Sequence, residues 1–287
     1  MADNPKTSEQ VPVDSESIVE NVKQKYGEIA DRTKSSCCGP AAEPSCCAPA
    51  EKVSERLGYS AEDLAALPED ADLGLGCGAP IRHLSLQPGE TVLDLGSGAG
   101  VDVFIAAGQV GPQGKAIGVD MTPQMAARAR ENAVKGGFEN VEFRDGRLES
   151  LPVDDDSVDA VTSNCVINLV PDKAQVFAEV ARVLKPGGRM VISDIVLDGE
   201  LPGAVKEDML SYVGCVSGAE QRQAYFAKLE SAGLTVTEVL DDTDVVAVGC
   251  ETAPDQVAEF AGRSGVSADD LKGKVKSVTF RAIKPGG

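Results

Sequence analysis

Two kinds of residue in this chain could do chemistry: closely spaced glycines beside an acid, and cysteines. The segment 91–100, TVLDLGSGAG, carries Asp94 followed by Gly96, Gly98 and Gly100. Its β-forming residues predict a buried strand that ends in a tight turn and opens a helix. Glycine has no Cβ and tolerates positive φ, so such a turn lets the backbone approach a ligand closely. The spacing G-x-G-x-G differs from the dinucleotide pattern G-x-G-x-x-G, and no Gly-Lys-Ser/Thr of a phosphate loop follows.

This glycine segment resembles the D-x-G-x-G-x-G motif of class I S-adenosylmethionine (SAM) methyltransferases, which it matches at Asp94, Gly96, Gly98 and Gly100. The resemblance implies that these four residues belong to a SAM-binding turn. A glycine-rich turn without a ligand is the structural alternative. Residues further along the chain favour the SAM site over that alternative.

Residues at the ends of the following predicted strands extend the cofactor site. Asp120 ends the second strand, where a carboxylate can accept hydrogen bonds from ribose hydroxyls. Met121 follows it and is placed to pack on the adenine face. The third strand is followed by three residues whose backbone groups are placed to read the adenine edge: Gly146, Arg147 and Leu148. We also assign Asn164, at the end of the fourth strand, to the cofactor-binding set.

The chain has eight cysteines and one histidine, and three of the cysteines have distinctive surroundings. Cys77 lies in the glycine-rich loop LGLGCGAP, Cys165 ends the fourth predicted strand, and Cys215 is flanked by glycines in YVGCVSG. A lone cysteine is usually a small buried hydrophobic residue, which is the structural alternative for each. Three thiolates without a histidine suit a soft trigonal centre better than zinc, which favours four ligands.

Four further cysteines form two adjacent pairs in a segment rich in Pro, Ala and Ser: Cys37, Cys38, Cys46 and Cys47. Zinc sites commonly use C-x₂-C spacing, and adjacent cysteines chelate poorly alone. A soft, thiophilic ion with loose geometry could still bind them. A flexible segment with incidental thiols is the alternative.

Strands and helices alternate through the centre of the chain. The pattern predicts strands at 91–95, 115–120, 141–145, 158–163 and 188–194, separated by helices at 101–108, 123–136 and 172–184. Such alternation predicts an α/β fold with a mostly parallel sheet and helices on both faces. Ligands bind such sheets at the carboxyl ends of the strands, where the glycine turn, Asp120 and Cys165 converge.

The flanking regions are less regular, and we predict three parts of the chain. Residues 1–52 form an N-terminal helix at 16–31 and the cysteine-rich loop, and residues 53–195 form the SAM-binding domain, with a short helix at 60–67. Residues 196–287 form a smaller α+β part that covers the pocket. Its predicted elements are helices at 203–214 and 220–232, a strand at 234–239, and β-like pieces at 244–249 and 275–283.

Charge and hydropathy limit the function. The 287 residues carry a formal net charge of −19, which disfavours nucleic acid and anionic membranes as partners. No apolar run approaches the ~20 residues of a membrane span, and the first residues do not resemble a secretory signal. We therefore expect an enzyme of the cytoplasm, where thiols stay reduced. The sequence does not determine the oligomeric state, for which a monomer is our expectation.

With the cysteines included, the sequence resembles the arsenite SAM methyltransferases. The matching segments are 74–78, 92–100, 118–122, 163–173 (SNCVINLVPDK) and the region around Cys215. The resemblance implies that arsenite, or its thiol conjugates, binds as As(III) to Cys77, Cys165 and Cys215. It also implies that the arsenic lone pair attacks the SAM methyl group, as a step in arsenic detoxification.

The resemblance further implies a disulfide relay. Enzyme cysteines reduce the product and form a disulfide, which thioredoxin or glutathione reopens. In this family one N-terminal cysteine takes part in the disulfide relay. The sequence does not show which of Cys37, Cys38, Cys46 and Cys47 would do so here. Cys250 has no clear counterpart, and we expect it to be structural.

Two other functions remain as alternatives. A SAM-dependent C- or O-methyltransferase of a small organic acceptor, such as a quinone precursor, explains the glycine motif but leaves three placed cysteines unused. A thiol-rich metalloid sensor or sequestering protein explains the cysteines but leaves the cofactor residues without a purpose. Stabilisation by SAM and by arsenite, measured separately, distinguishes these functions.

Overall fold

The computed structural model of this chain describes residues 14–31, 54–202, 218–252, 255, 257–258, 262 and 265–286. Within these ranges, seven strands pair into one sheet: β1 (Thr91–Leu95), β2 (Lys115–Asp120), β3 (Val141–Asp145), β4 (Val158–Asn164), β5 (Leu184–Leu197), β6 (Thr235–Asp244) and β7 (Val275–Ile283). The order across the sheet is β3-β2-β1-β4-β5-β7-β6.

Helices connect and cover the strands. The main ones are α1 (Ser15–Asp31), α2 (Ala61–Ala65), α3 (Val101–Val110), α4 (Pro123–Gly136), α5 (Lys173–Val183), α6 (Arg222–Ser231), α7 (Val245–Thr252) and α8 (Ala268–Leu271). Single 3₁₀ turns lie at Pro80–His83 and Ile167–Leu169. The predicted α/β fold is confirmed, since the sheet is mostly parallel and helices pack on it.

The five strands from β1 to β5 form the parallel part of the sheet. β1 pairs with β2 and β4, β2 pairs with β3, and β4 pairs with β5, all in parallel. Residues 92–95 of β1 are buried, as expected for a strand covered on both faces. The predicted boundaries of β1, β2 and β3 agree with the structure. β4 runs one residue longer than predicted, and β5 begins at Leu184 and ends at Leu197.

The antiparallel end of the sheet comes from the last part of the chain. β7 lies between β5 and β6 and runs antiparallel to both. The strands that follow residue 195 therefore extend the sheet that β1 to β5 begin. The boundaries at 52/53 and 195/196 stay predictions, and the predicted helix 203–214 lies outside the described residues.

The sequence prediction of a β-like piece at 244–249 is wrong, because α7 occupies residues 245–252. The side chain of Asp244 explains the helix. Its Oδ1 accepts hydrogen bonds from the backbone N–H groups of Val246 and Ala247, both at 3.1 Å. These bonds satisfy N–H groups that a first helical turn leaves unpaired, and they outweigh the strand preference of the valines.

The core lies on both faces of the sheet, because side chains of a strand alternate between faces. On β1, Leu93 packs in a cluster with Phe177 of α5, whereas Val92 packs in another cluster with Phe104 of α3 and Ala129 of α4. These two layers of helices hold the strands in register, and thereby fix the positions of the carboxyl ends of β1, β2 and β4.

Helix α1 adds a wall beside the carboxyl ends of the parallel strands. It packs on α4, where the Arg128 guanidinium donates a hydrogen bond to the Ala30 carbonyl at 2.8 Å. Val22 of α1 is buried, and both Val22 and Tyr26 line a cavity at these strand ends. Among the described helices, none is both long and apolar enough to cross a membrane.

Candidate active site

A cavity of about 320 Å³ opens at the carboxyl ends of β1, β2 and β4. Three chain segments close its sides: α1, the glycine turn after β1, and residues 71–76. Among the described residues that line it, the charged ones are all acids: Asp72, Asp94, Asp102, Asp120 and Glu149. The location agrees with the site that the strand order predicts.

The three motif glycines all adopt positive φ, at 66° for Gly96, 52° for Gly98 and 102° for Gly100. A Cβ on Gly96 would lie 2.4 Å from Val166, and one on Gly100 would lie 2.7 Å from Phe104. A Cβ on Gly98 would meet nothing within 4 Å, because that glycine borders open space. The turn therefore requires glycine for its backbone conformation throughout and for its packing at two positions.

Asp120 is nine-tenths buried at the end of β2, and its carboxylate holds two chain segments. Oδ2 accepts a hydrogen bond from the Gly98 N–H at 2.9 Å, and Oδ1 accepts one from the Thr122 N–H at 2.8 Å. Burial raises the pKa of Asp120, and these N–H donors oppose that rise. A carboxylate has about four acceptor positions, so capacity remains for a ligand hydroxyl.

Asp94 and Asp102 are two further buried carboxyls at the cavity. Burial raises the pKa of both, to about 7 for Asp102, and the neighbouring acids Asp102 and Asp120 add to the shift of Asp94. The Tyr59 hydroxyl donates a hydrogen bond to Asp102 Oδ1 at 2.8 Å. The sequence analysis missed Asp102 and Tyr59. An acid inside the apolar segment VDVFIAA was the available signal, since a buried acid needs a partner.

The residues predicted to lie beside the adenine divide into two groups. Met121, Gly146 and Leu148 line the cavity, and the Gly146 N–H donates to the Asp120 carbonyl at 3.0 Å. The Arg147 side chain turns elsewhere and pairs with Glu16 of α1 at 3.1 Å and with Glu149 at 2.9 Å. The ion pair of Arg147 with Glu16 thus connects the loop after β3 to α1.

The structure brings Cys77 and Cys165 to the same region. Cys165 lines the cavity, and the Cys77 loop contacts Asn164, which also lines it. Both thiols pack against one apolar cluster and both contribute to raising the pKa of the buried Tyr225, after burial and Asp194. Cys250 is half-buried.

The remaining predicted thiols lie outside the described residues: Cys37, Cys38, Cys46, Cys47 and Cys215. Within the described part of the chain, no group of three or more His, Cys, Asp or Glu side chains is arranged to hold a metal ion. A third thiolate for Cys77 and Cys165 therefore stays a prediction.

Asn168, in the segment SNCVINLVPDK, takes part in a buried hydrogen-bond network near Cys77 and Cys165. The Asn168 side chain donates to Asp194 Oδ1 at 2.8 Å and to the Ile195 carbonyl at 2.6 Å. The Tyr225 hydroxyl donates to the other oxygen of Asp194 at 3.0 Å. This buried network joins the segment after β4 to β5 and α6.

Comparison with known proteins decides the family. An arsenite methyltransferase of Halobacterium salinarum is 46% identical over an alignment that covers 95% of this chain and 68% of that protein. The chain belongs to the arsenite methyltransferase family. An arsenite methyltransferase of Aquipseudomonas alcaligenes is 35% identical over 79% of this chain and 64% of its own length. The chain thus spans roughly two thirds of these two arsenite methyltransferases.

Structural comparison agrees with this family. The crystal structure of an arsenic(III) S-adenosylmethionine methyltransferase from Chlamydomonas reinhardtii matches with a TM-score of 0.59 at 31% identity, covering 83% of this chain and 75% of that one. The family model of a methyltransferase domain matches residues 86–233. The protein is a class I methyltransferase, and its methyl donor is SAM.

The cavity fits this cofactor on its own features. SAM carries a sulfonium and an ammonium group, and the described residues that line the cavity include five acids and no lysine or arginine. The open space beside Gly98 admits a ligand against the backbone. The buried Ser97 hydroxyl lines the cavity without a hydrogen-bond partner among the described residues, and it would gain one from a polar ligand.

Proposed function

We propose that this arsenite methyltransferase transfers the methyl group of SAM to trivalent arsenic that cysteine thiolates hold. The observation that supports this proposal is that Cys165 lines the same cavity as Gly98 and Asp120. A thiol and a cofactor turn at one cavity can bring two reactants together, and such positioning contributes most of the catalysis that this reaction needs.

The proposed substrate ligands are Cys77, Cys165 and Cys215. Thiolates are soft donors that match As(III). As(III) forms three bonds, so three thiolates complete its coordination and leave its lone pair free to react. Cys77 and Cys165 approach from different chain segments, the loop before β1 and the end of β4. Substrate binding by them would direct the arsenic lone pair into the cavity.

The cofactor-binding residues have separate roles in the proposal. Asp120 would accept from the ribose, and Met121, Gly146 and Leu148 would enclose the adenine. When bound, SAM supplies an electrophilic methyl group, which forms the As–C bond as its C–S bond breaks and the electron pair returns to sulfur. The acidic cavity wall would stabilise the positive cofactor.

Methylation raises arsenic formally from the +3 to the +5 state, so a further methyl transfer needs two electrons. We propose that two enzyme thiols supply them by forming a disulfide, and that thioredoxin or glutathione reduces this disulfide by thiol exchange. One of the N-terminal cysteines would serve in this relay. The outcome for the cell would be arsenic detoxification.

Arsenic speciation after incubation with SAM, arsenite and a thiol tests the activity, and methylated arsenic is the expected product. Thermal unfolding with each ligand alone tests the two alternatives, because a ligand that binds the folded state raises its stability. We expect both SAM and arsenite to stabilise the protein. Stabilisation by SAM alone would favour an organic acceptor, and stabilisation by arsenite alone would favour a sensor.

A further inference from the structure

The side-chain amide of Asn164 binds both sides of Cys77. Its Oδ1 accepts a hydrogen bond from the Cys77 backbone N–H at 2.9 Å, and its Nδ2 donates to the Gly78 carbonyl at 2.6 Å. The Cys77 carbonyl is held separately, by the Ser277 hydroxyl of β7 at 2.8 Å. The backbone around this thiol is therefore fixed from two strands.

Tyr59 sets the orientation of that amide. The Tyr59 hydroxyl donates to Asp102 Oδ1 at 2.8 Å and so accepts the second hydrogen bond from Asn164 Nδ2, at 3.0 Å. Tyr59 is 6% exposed and Asp102 is 4% exposed, so both groups have little contact with solvent. Both N–H donors of the Asn164 amide are then occupied, and its oxygen must face the Cys77 N–H.

The glycines beside Cys77 allow this close contact. A Cβ on Gly76 would lie 2.7 Å from the Asn164 amide, and one on Gly78 would lie 2.6 Å from the Ser193 hydroxyl. Gly76 also adopts a φ of +120°, which other residues rarely tolerate. The loop LGLGCGAP therefore lies directly on Asn164 and Ser193.

Asn164 immediately precedes Cys165, the other described thiol. Cys165 has a φ of +61°, and its N–H donates to the Ser193 carbonyl at 2.8 Å. Positive φ costs a non-glycine residue free energy and persists only where neighbouring contacts enforce it. The end of β4 thus positions both thiols. It positions Cys165 through the backbone conformation of that residue, and Cys77 through the hydrogen bonds of the Asn164 side chain.

From these contacts we propose that Asn164 is a positioning residue that sets the placement of the Cys77 thiol relative to Cys165. The positioning role is argued from the hydrogen bonds alone. Its purpose, the binding of one arsenic by both thiols, rests on the proposed function. It gives the Asn164 amide a role that differs from the predicted cofactor contact, because both of its donors already serve the chain.

The test uses the full chain with Cys37, Cys38, Cys46, Cys47 and Cys250 changed to Ser, so that the candidate ligand thiols alone remain. Asn164→Ala removes the amide, and Asn164→Asp keeps its size and the acceptor oxygen but replaces the NH₂ donor group by a second acceptor oxygen. The matched control is Asn140→Ala. Asn140 also donates twice to backbone carbonyls, of Ala107 at 3.0 Å and Gly111 at 2.9 Å, and it does not line the cavity.

Two measurements read the geometry. The first is the yield of the Cys77–Cys165 cross-link with dibromobimane, a reagent that joins two nearby thiols, mapped by peptide mass spectrometry. The second is calorimetric affinity for arsenite and for SAM. Both Asn164 variants should lose most of the cross-link and about tenfold or more in arsenite affinity, with SAM affinity within about threefold. Asn140→Ala should keep the cross-link and both affinities.

Any of the following results would overturn the proposal: wild-type cross-linking in Asn164→Ala, wild-type behaviour of Asn164→Asp, or equal losses in Asn140→Ala. An equal fall in SAM and arsenite affinity would also overturn it, since Asn164 would then serve the whole cavity. If the parent protein does not bind arsenite, the proposed function fails, and the cross-link yield still decides whether Asn164 positions Cys77.

Discussion

The Asp120 carboxylate accepts a hydrogen bond from the Gly98 N–H at 2.9 Å, across 22 residues of sequence. The acid that ends β2 therefore helps to hold the glycine turn that follows β1. Both residues belong to the predicted cofactor site, and the structure shows that they also support each other. A change at Asp120 will act on the turn as well as on the ligand.

We expect Asp120→Ala to weaken SAM binding by about tenfold or more, or ~1.4 kcal/mol, because a hydroxyl of the ribose loses a charged acceptor. Isothermal titration calorimetry with SAM measures this change. Asp145→Ala is the matched control, because Asp145 ends the neighbouring strand β3 but pairs with Arg130 at the surface. Unchanged SAM affinity in Asp120→Ala would remove Asp120 from the cofactor site.

Cys165→Ser and Cys215→Ser should each abolish arsenite methylation while SAM binding stays at the wild-type level. A serine oxygen is a hard donor with a high pKa and is a poor ligand for a soft centre. Methylated products are measured by arsenic speciation, and SAM affinity by calorimetry. Cys250→Ser serves as the control, because Cys250 lies on α7 and does not line the cavity. Near wild-type methylation by either ligand variant would contradict the thiolate site.

The four N-terminal cysteines lie outside the described residues, so their role is argued from thiol chemistry. We expect replacement of Cys37, Cys38, Cys46 and Cys47 by Ser to preserve arsenite and SAM binding. Multiple turnover with thioredoxin should slow, because reduction proceeds through a mixed disulfide that needs an accessible thiol. Methyl transfer in a single turnover should remain.

Two other results of this replacement would change the interpretation. Loss of arsenite binding would make these cysteines ligands, and the three-cysteine site would then be wrong or incomplete. Normal multiple turnover would make them accessory, and the relay would need another thiol.

Asp194 should make the stability of the protein depend on pH. Burial raises its pKa from an ordinary value of 3.8 to about 7, although the Ile195 N–H and the Tyr225 hydroxyl oppose the rise. Between about pH 4 and pH 7 the folded state keeps a proton that the unfolded state has lost. The free energy of unfolding therefore falls as the pH rises through this window.

Asp194→Asn should reduce that dependence by one proton, or about 1.4 kcal/mol per pH unit within the window. Urea unfolding at pH 5, 6 and 7 and constant ionic strength measures the slope for both proteins. The pKa of Asp102 is also raised to about 7, but Asp102 is present in both proteins. The difference between the wild-type and Asp194→Asn slopes therefore reports Asp194. Equal slopes would mean that Asp194 is ionised throughout this range in the folded state.

Local sequence patterns determined the parallel core and the location of the site. Thr91–Leu95 and Lys115–Asp120 are short segments rich in apolar residues, and Val141–Asp145 alternates apolar with polar residues, so the local pattern was enough to predict these three strands. Right-handed crossovers then bring the carboxyl ends of these strands to one edge. For that reason Asp120 and Cys165 could be placed at the same edge from their sequence positions.

Only the tertiary structure showed which polar side chains near the cavity form hydrogen bonds and ion pairs within the protein. Asn164 was predicted to contact the cofactor, and its amide binds the Cys77 backbone. The Arg147 side chain pairs with Glu16 of α1, and the backbone contact predicted for Arg147 stays a prediction. The hydrogen bond between Tyr59 and Asp102 and the cavity wall from Tyr26 likewise join distant segments. Sequence periodicity tells which face of an element is buried, whereas the partner of a polar side chain depends on how the segments pack in three dimensions.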